Sequence, residues 1–95
     1  MLLHLISFKY KADVAAGTRA DHRQRLAALK DIDGIIELKV GEDVVRSPRS
    51  YDTGLSIIFT GRAALDAYAT HPRHVAVVQF AAPLAEHVVA VDFEI

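Results

Sequence analysis

Apolar and polar residues alternate with a period of two from Leu2 to Lys11. His4, Ile6, Phe8 and Tyr10 fall on one side, and Leu3, Leu5, Ser7 and Lys9 on the other. This predicts a strand that ends in charge. After a turn around Gly17, Thr18 is placed to cap a helix with Asp21 three residues on. Leu26, Leu29 and Ile32 then recur at helical spacing until Asp33-Gly34, so the first helix is expected from about residue 18 to about residue 32. Alternation returns from Gly34 to Val40, setting Ile36, Leu38 and Val40 against Ile35, Glu37 and Lys39, with Gly41 at a bulge or strand end. Residues 42 to 50 are polar, contain Pro48 and read as a long hairpin loop, and Tyr51 to Phe59 reads as the third strand.

A second helix opens at Thr60 or Gly61, buries Ala64, Leu65 and Tyr68, and stops before Pro72, because the residue preceding a proline disfavours the helical conformation. Pro72 suits the first turn of a third helix, with Val75, Val78 and Ala82 on one face until Pro83 breaks it. His87 to Ile95 is a final β-branched strand, Val89, Val91, Phe93 and Ile95 against Val88, Ala90, Asp92 and Glu94. The order is βαββαβ with an extra helix before the last strand. It predicts an α+β chain: a ferredoxin-like four-stranded antiparallel sheet with helices on one face.

Both faces of the first, third and fourth strands carry large apolar side chains, yet one helix layer covers one face only. A second copy laid against the open sheet face would bury the remainder and make a dimeric α/β barrel, so the expected partner is the chain itself. The alternative is a monomer with one partly polar open face. The 95 residues leave room for one domain, residues 1–95, whose core gains from oligomerisation.

Composition narrows the function. Eleven basic and twelve acidic residues give a formal charge of −1. The densest basic group, Arg19, Arg23, Arg25 and Lys30, is diluted by Asp21, Asp31 and Asp33, which leaves no nucleic-acid footprint. No apolar run approaches the roughly 20 residues needed to span a bilayer. The first residues lack the basic segment and cleavage site of a leader, so no membrane partner and a cytoplasmic location are expected. With no cysteine, thiolate catalysis and cysteine-ligated metals are excluded. No cofactor loop or nucleophile elbow is present, and no cofactor is expected.

Five histidines are the odd feature. His22 sits in a charged helical segment and is read as a surface residue, and His87 as structural or exposed. His4 shares its side with Ile6 and Phe8, either as a hydrogen-bonded core histidine or as a pocket residue. In Tyr68-Ala-Thr-His71-Pro72-Arg73-His74, the proline makes a corner between two helices. If His71 caps the third helix, His74 lies in its first turn, close to Tyr68, and the two can serve as base and hydrogen-bond partner. A His-x-x-His zinc reading fails for want of further ligands, so no metal is expected.

Several segments together resemble the stress-responsive dimeric α/β-barrel (Dabb) family, which includes olivetolic acid cyclase: His4-Leu-Ile-Ser-Phe8-Lys9, Val40-Gly41, Ser50-Tyr51-Asp52, and Leu65-x-x-Tyr68-x-x-His71-Pro72-x-His74. The resemblance spans nearly the whole chain. It implies a barrel dimer with a cavity between sheet and helices. The catalytic pair of the family's cyclase falls on Tyr68 and His74, and its strand-one pocket histidine on His4. Where the cyclase has a histidine early in strand three, this chain has Asp52-Thr53-Gly54. The expected function is binding of a small apolar or carbonyl-containing molecule by His4, Ile6, Phe8 and His71. The alternative is a polyketide cyclase-like or lyase enzyme with His74 as general base assisted by Tyr68.

Overall fold

The computed structural model of the chain describes residues 1–95. The alternating Leu2–Tyr10 segment forms β1, whose even-numbered side chains turn inward: Leu2, His4, Phe8 and Tyr10 are buried. β3 (Thr53–Phe59) lies antiparallel to it on one side, with His4 opposite Ile57 and Phe8 opposite Thr53. β4 (Ala85–Glu94) lies antiparallel on the other side, with His4 opposite Asp92 and Phe8 opposite Val88. β2 (Ile35–Glu42) flanks β3, giving the order β2-β3-β1-β4 with every neighbour antiparallel. Three helices, α1 (Ala16–Ala27), α2 (Arg62–Ala69) and α3 (Pro72–Ala81), complete the ferredoxin-like arrangement that the pattern predicts.

The core is where Leu26, Leu29 and Ile32 meet Leu55, Ile57 and Phe59 of β3, with Tyr68 and Val77 from α2 and α3. Five local expectations change. α1 starts earlier than Thr18, at Ala16. Its N-cap is Ala15, in extended conformation without a side-chain cap. After Ala27 the chain tightens into a 3₁₀ turn over Ala28–Asp31. The tighter winding brings both Leu29 and Ile32 into the core. In β2 a register shift between Ile35 and Glu37 inserts an extra residue, so Ile35 joins Leu38 and Val40 against the core while Ile36 is exposed. β3 begins at Thr53 rather than Tyr51. In α3 the buried positions are Val77 and Ala81, not Val75 and Val78, which are exposed.

The opposite face of the sheet has no cover. Leu3 pairs with Phe93, Leu5 with Val91 and Ser7 with Val89 on that side. Leu5, Val89, Val91 and Phe93 are 38%, 50%, 61% and 45% exposed, a contiguous apolar strip on two adjacent strands.

One glycine fixes how closely α2 approaches the sheet. Gly34 has φ of +90°, and its carbonyl accepts the Thr60 amide at 2.9 Å. A Cβ built there would lie 2.6 Å from the Ala64 Cβ, so only glycine satisfies both the backbone angle and the contact.

Candidate functional site

Between the roofed face of the sheet and helices α1 and α3 lies a cavity of about 450 Å³. Of its 13 lining residues 11 are hydrophobic, among them Ile6 and Phe8 from β1, Leu55 from β3, Leu26 from α1, and Val77 and Ala81 from α3. The polar edges come from Tyr68, His74 and His22.

Tyr68 and His74 face each other because Pro72 breaks the chain between α2 and α3. His71 holds that corner: as N-cap of α3 its Nδ1 accepts the Arg73 amide at 3.1 Å. The Arg73 guanidinium then donates to the Ala28 carbonyl at 2.6 Å and to Asp31 at 2.9 Å, anchoring the start of α3 beyond the end of α1. One turn into α3, the His74 ring stacks on Tyr68, with centroids 4.0 Å apart and planes inclined by 33°. His74 Nδ1 donates to the Ala69 carbonyl at 3.2 Å. A carbonyl only accepts, so Nδ1 carries the proton and Nε2 holds a lone pair. Burial, the largest cause, lowers the His74 pKa, and the neighbouring His4 and His71 lower it further, so the ring is neutral at pH 7.

The Tyr68 hydroxyl is buried without a protein partner. Burial alone raises its pKa to about 12, so it remains a proton donor throughout the physiological range. An unpaired buried polar group costs about 1–3 kcal/mol, a cost retained in a fold only where another requirement offsets it.

His4 stands behind this pair rather than on the cavity wall. Its ring is edge-on to Tyr68 at 6.2 Å and to Phe59 at 6.0 Å, and its Nδ1 donates to the Asp92 carboxylate across the β1/β4 pairing. Ile6, Phe8, Tyr68 and His74 are thus brought together on the wall, whereas His4 and His71 lie outside it and act on Tyr68 and the helix corner.

The sequence reading missed His22. It is not a surface residue: it is fully buried, with its ring edge-on to Phe8 at 4.8 Å. Its Nδ1 is 2.7 Å from the Tyr10 hydroxyl, which is 2.9 Å from Thr53 Oγ1, and Thr53 accepts from the Arg23 guanidinium at 3.3 Å. Arg23 only donates, so Thr53 accepts at that end, while the Thr53–Tyr10–His22 hydrogen bonds are compatible with either direction. His22 Nε2 is buried and has no partner. Burial lowers the His22 pKa and Arg23 lowers it further, so this ring too is neutral. The missed signal was spacing: His22 lies four residues before Leu26 and so continues the buried stripe back along α1.

Beyond the cavity, Asp52 ties the long β2/β3 loop to β1, accepting the Tyr10 amide at 2.8 Å and pairing with Arg46 at 2.7 Å. Burial pushes its pKa up, but the Tyr10 amide, Arg46 and Arg19 outweigh burial and hold it below the ordinary value. His87 is exposed on β4. No cluster of three or more His, Asp or Glu side chains is placed to hold a metal ion, and no helix is long and apolar enough to cross a membrane.

The same fold recurs in solved structures. A dimeric protein of ferredoxin-like fold from Bacteroides fragilis NCTC 9343 is 27% identical, with a TM-score of 0.84, covering 99% of this chain and 95% of that one. A dimeric ferredoxin-like protein from Thermobifida fusca YX is 24% identical, with a TM-score of 0.91 over 99% of this chain and 90% of its own. Hydroxynitrile lyase from Passiflora edulis is 18% identical and superposes with a TM-score of 0.86 over 99% of this chain and 92% of its own, a likeness of fold alone. No curated protein matches in sequence. The stress-responsive A/B barrel domain (Dabb) family matches residues 2–95, and with the sheet order and helix corner described above this chain belongs to that family.

Proposed function

We propose that the protein is a homodimer that binds a small apolar, carbonyl-containing molecule in the cavity between sheet and helices. The observation that carries this reading is the cavity itself: about 450 Å³ with an apolar lining and the Tyr68 and His74 rings on its wall. That size lies within the roughly 300–1,000 Å³ common to small-molecule sites, and a few fixed polar groups on apolar walls are their usual anatomy. The homodimer is supported by the uncovered strip of Leu5, Val89, Val91 and Phe93 and by the dimeric state of the Bacteroides and Thermobifida neighbours. In this reading Ile6 and Phe8 touch the ligand, His4 orients Tyr68, and His71 holds the corner that presents His74.

Native mass spectrometry of the purified protein tests both parts. The expected spectrum is a dimer carrying a passenger of small-molecule mass that is released on denaturation. A monomer, or a dimer that neither carries a passenger nor takes up medium-chain ketones, would overturn the reading.

One arrangement favours a second reading, an enzyme. His74 Nε2 offers a lone pair beside a hydroxyl that stays protonated. Nε2 would take a proton from the carbon next to a ligand carbonyl, the C–H pair becoming an enolate whose oxygen accepts a hydrogen bond from Tyr68. The resulting carbanion equivalent suits aldol-type cyclisation or a lyase step, and the Passiflora neighbour of the same fold is a hydroxynitrile lyase. Deuterium exchange at the α-carbon of a bound β-diketone is the sensitive readout: exchange that vanishes in His74→Ala supports catalysis, and exchange at the solvent rate in the native protein rejects it.

A further inference from the structure

We infer that the protein holds a second small-molecule site, for a monoanionic carboxylate, where Arg23 meets Arg19 and Arg46 beside the first turn of α1.

A second cavity, of about 340 Å³, lies between the start of α1 at Ala16 and the long β2/β3 loop, and it shares no lining residue with the apolar one. Its charged lining is Arg19, Arg23, Arg46, Glu42 and Asp52. Arg19 and Arg23 are four residues apart and so share a face of α1. Arg46 joins them from the loop with its backbone at a φ of +53°, a conformation uncommon for a residue with a long side chain and concentrated where a site demands it. Basic residues that look diluted along the chain are thus gathered in space.

The use each guanidinium makes of its donors singles out Arg23. Arg46 donates to Asp43 at 3.3 Å, to the Tyr51 carbonyl at 3.2 Å and to Asp52 at 2.7 Å. Arg19 donates to the Val14 and Lys11 carbonyls at 2.9 and 3.3 Å, with Asp52 3.6 Å away. Arg23, with its side chain only 19% exposed, makes one hydrogen bond, to Thr53 Oγ1 at 3.3 Å, of the five its planar fork offers. The carboxylate paired with it, Glu42, stands 3.5 Å off on a side chain that is 68% exposed.

A guanidinium taken largely out of water gains most from a directed, two-pronged oxyanion contact, which so loose a pair does not give. Glu42 marks the place that a ligand carboxylate takes when Glu42 turns out to solvent. Three guanidiniums then face Asp43 and Asp52, leaving one positive charge, which a single carboxylate neutralises and a dianion would overfill.

Proton–nitrogen NMR of the intact protein, titrated with sodium acetate against sodium chloride at matched ionic strength, tests this. The Arg23 Nε–H resonance is expected to shift saturably with acetate and not with chloride. Glu42→Gln, an exposed change that removes the competing charge, should tighten acetate about two- to fivefold, and Arg23→Gln should weaken it at least about tenfold. A linear drift equal to that in chloride, or acetate affinity unchanged by Glu42→Gln, overturns the inference, and neither result depends on whether Arg23→Gln folds. Inorganic phosphate binding tighter than acetate overturns the assignment to a monoanionic carboxylate.

Discussion

The two faces of the sheet depart from the usual division of labour because both are apolar. In a one-sided antiparallel sheet the covered face is apolar and the free face polar. Here the covered face holds His4, Tyr10 and Thr53, all buried, and meets His22 and Tyr68 from the helices. Those polar groups sit among the apolar core, and the uncovered face is oily as well, with Leu5, Val89, Val91 and Phe93 in a strip. Polar groups buried under helices are costly unless paired, and apolar groups left in water forgo about 25 cal/mol for each Å² of burial. In the proposed reading the two faces serve different partners: a small molecule on one side and a second copy on the other.

The comparison can be broken hardest from the open face. Val91→Asp places a carboxylate in the strip, and two-fold symmetry places a second one in the same interface. Analytical ultracentrifugation should then show the dimer dissociation constant raised by more than about a hundredfold. An unchanged dimer would mean that this face is not the contact. Next in size is Tyr68→Phe. Removing an unpaired buried hydroxyl should leave stability the same or raise it by about 1 kcal/mol in urea unfolding, while ketone affinity falls about tenfold. A loss of stability would instead show that the hydroxyl has a structural partner.

A smaller effect follows from pH. Burial holds His22 and His74 below their ordinary value of 6.5. The unfolded chain therefore binds protons that the folded chain does not, so stability is fully present above about pH 6.5 and is lost as pH falls below it toward the folded values. Urea unfolding at stepped pH should show this decline, and His22→Phe should flatten it. The smallest change is expected on the exterior. Arg62 and Asp66 pair at 2.9 Å one turn apart on the surface of α2, and Asp66→Ala should alter stability by less than about 0.5 kcal/mol.

The sequence discloses the fold well wherever the signal is local. Period-two alternation in β1 and β4, and Pro72 after His71, state their own geometry, and the corner that stacks His74 on Tyr68 follows from them. It discloses less where two phases fit equally. In α3 apolar residues occupy Val75 to Val78 and Phe80 to Ala82 almost without interruption, so the letters do not choose between the Val75/Val78 face and the Val77/Ala81 face; packing against α1, where Arg25 covers the Phe80 ring at 4.0 Å, makes that choice. His22 was hidden by its neighbours, since Asp21, Arg23 and Arg25 mark the segment as solvated although the stripe through Leu26 runs back to it. The Asp92 partner of His4 lies 88 residues away and is set by strand register, which no local pattern specifies.

Gly34 gives the cavity an adjustment that none of its walls contains. Ala64, which the glycine allows to settle so near, sits one helical turn before Tyr68 on the same side of α2. A single methyl at residue 34 would press on that helix and strain its own backbone at once, so the stance of the tyrosine is set from a residue that lines no part of the chamber.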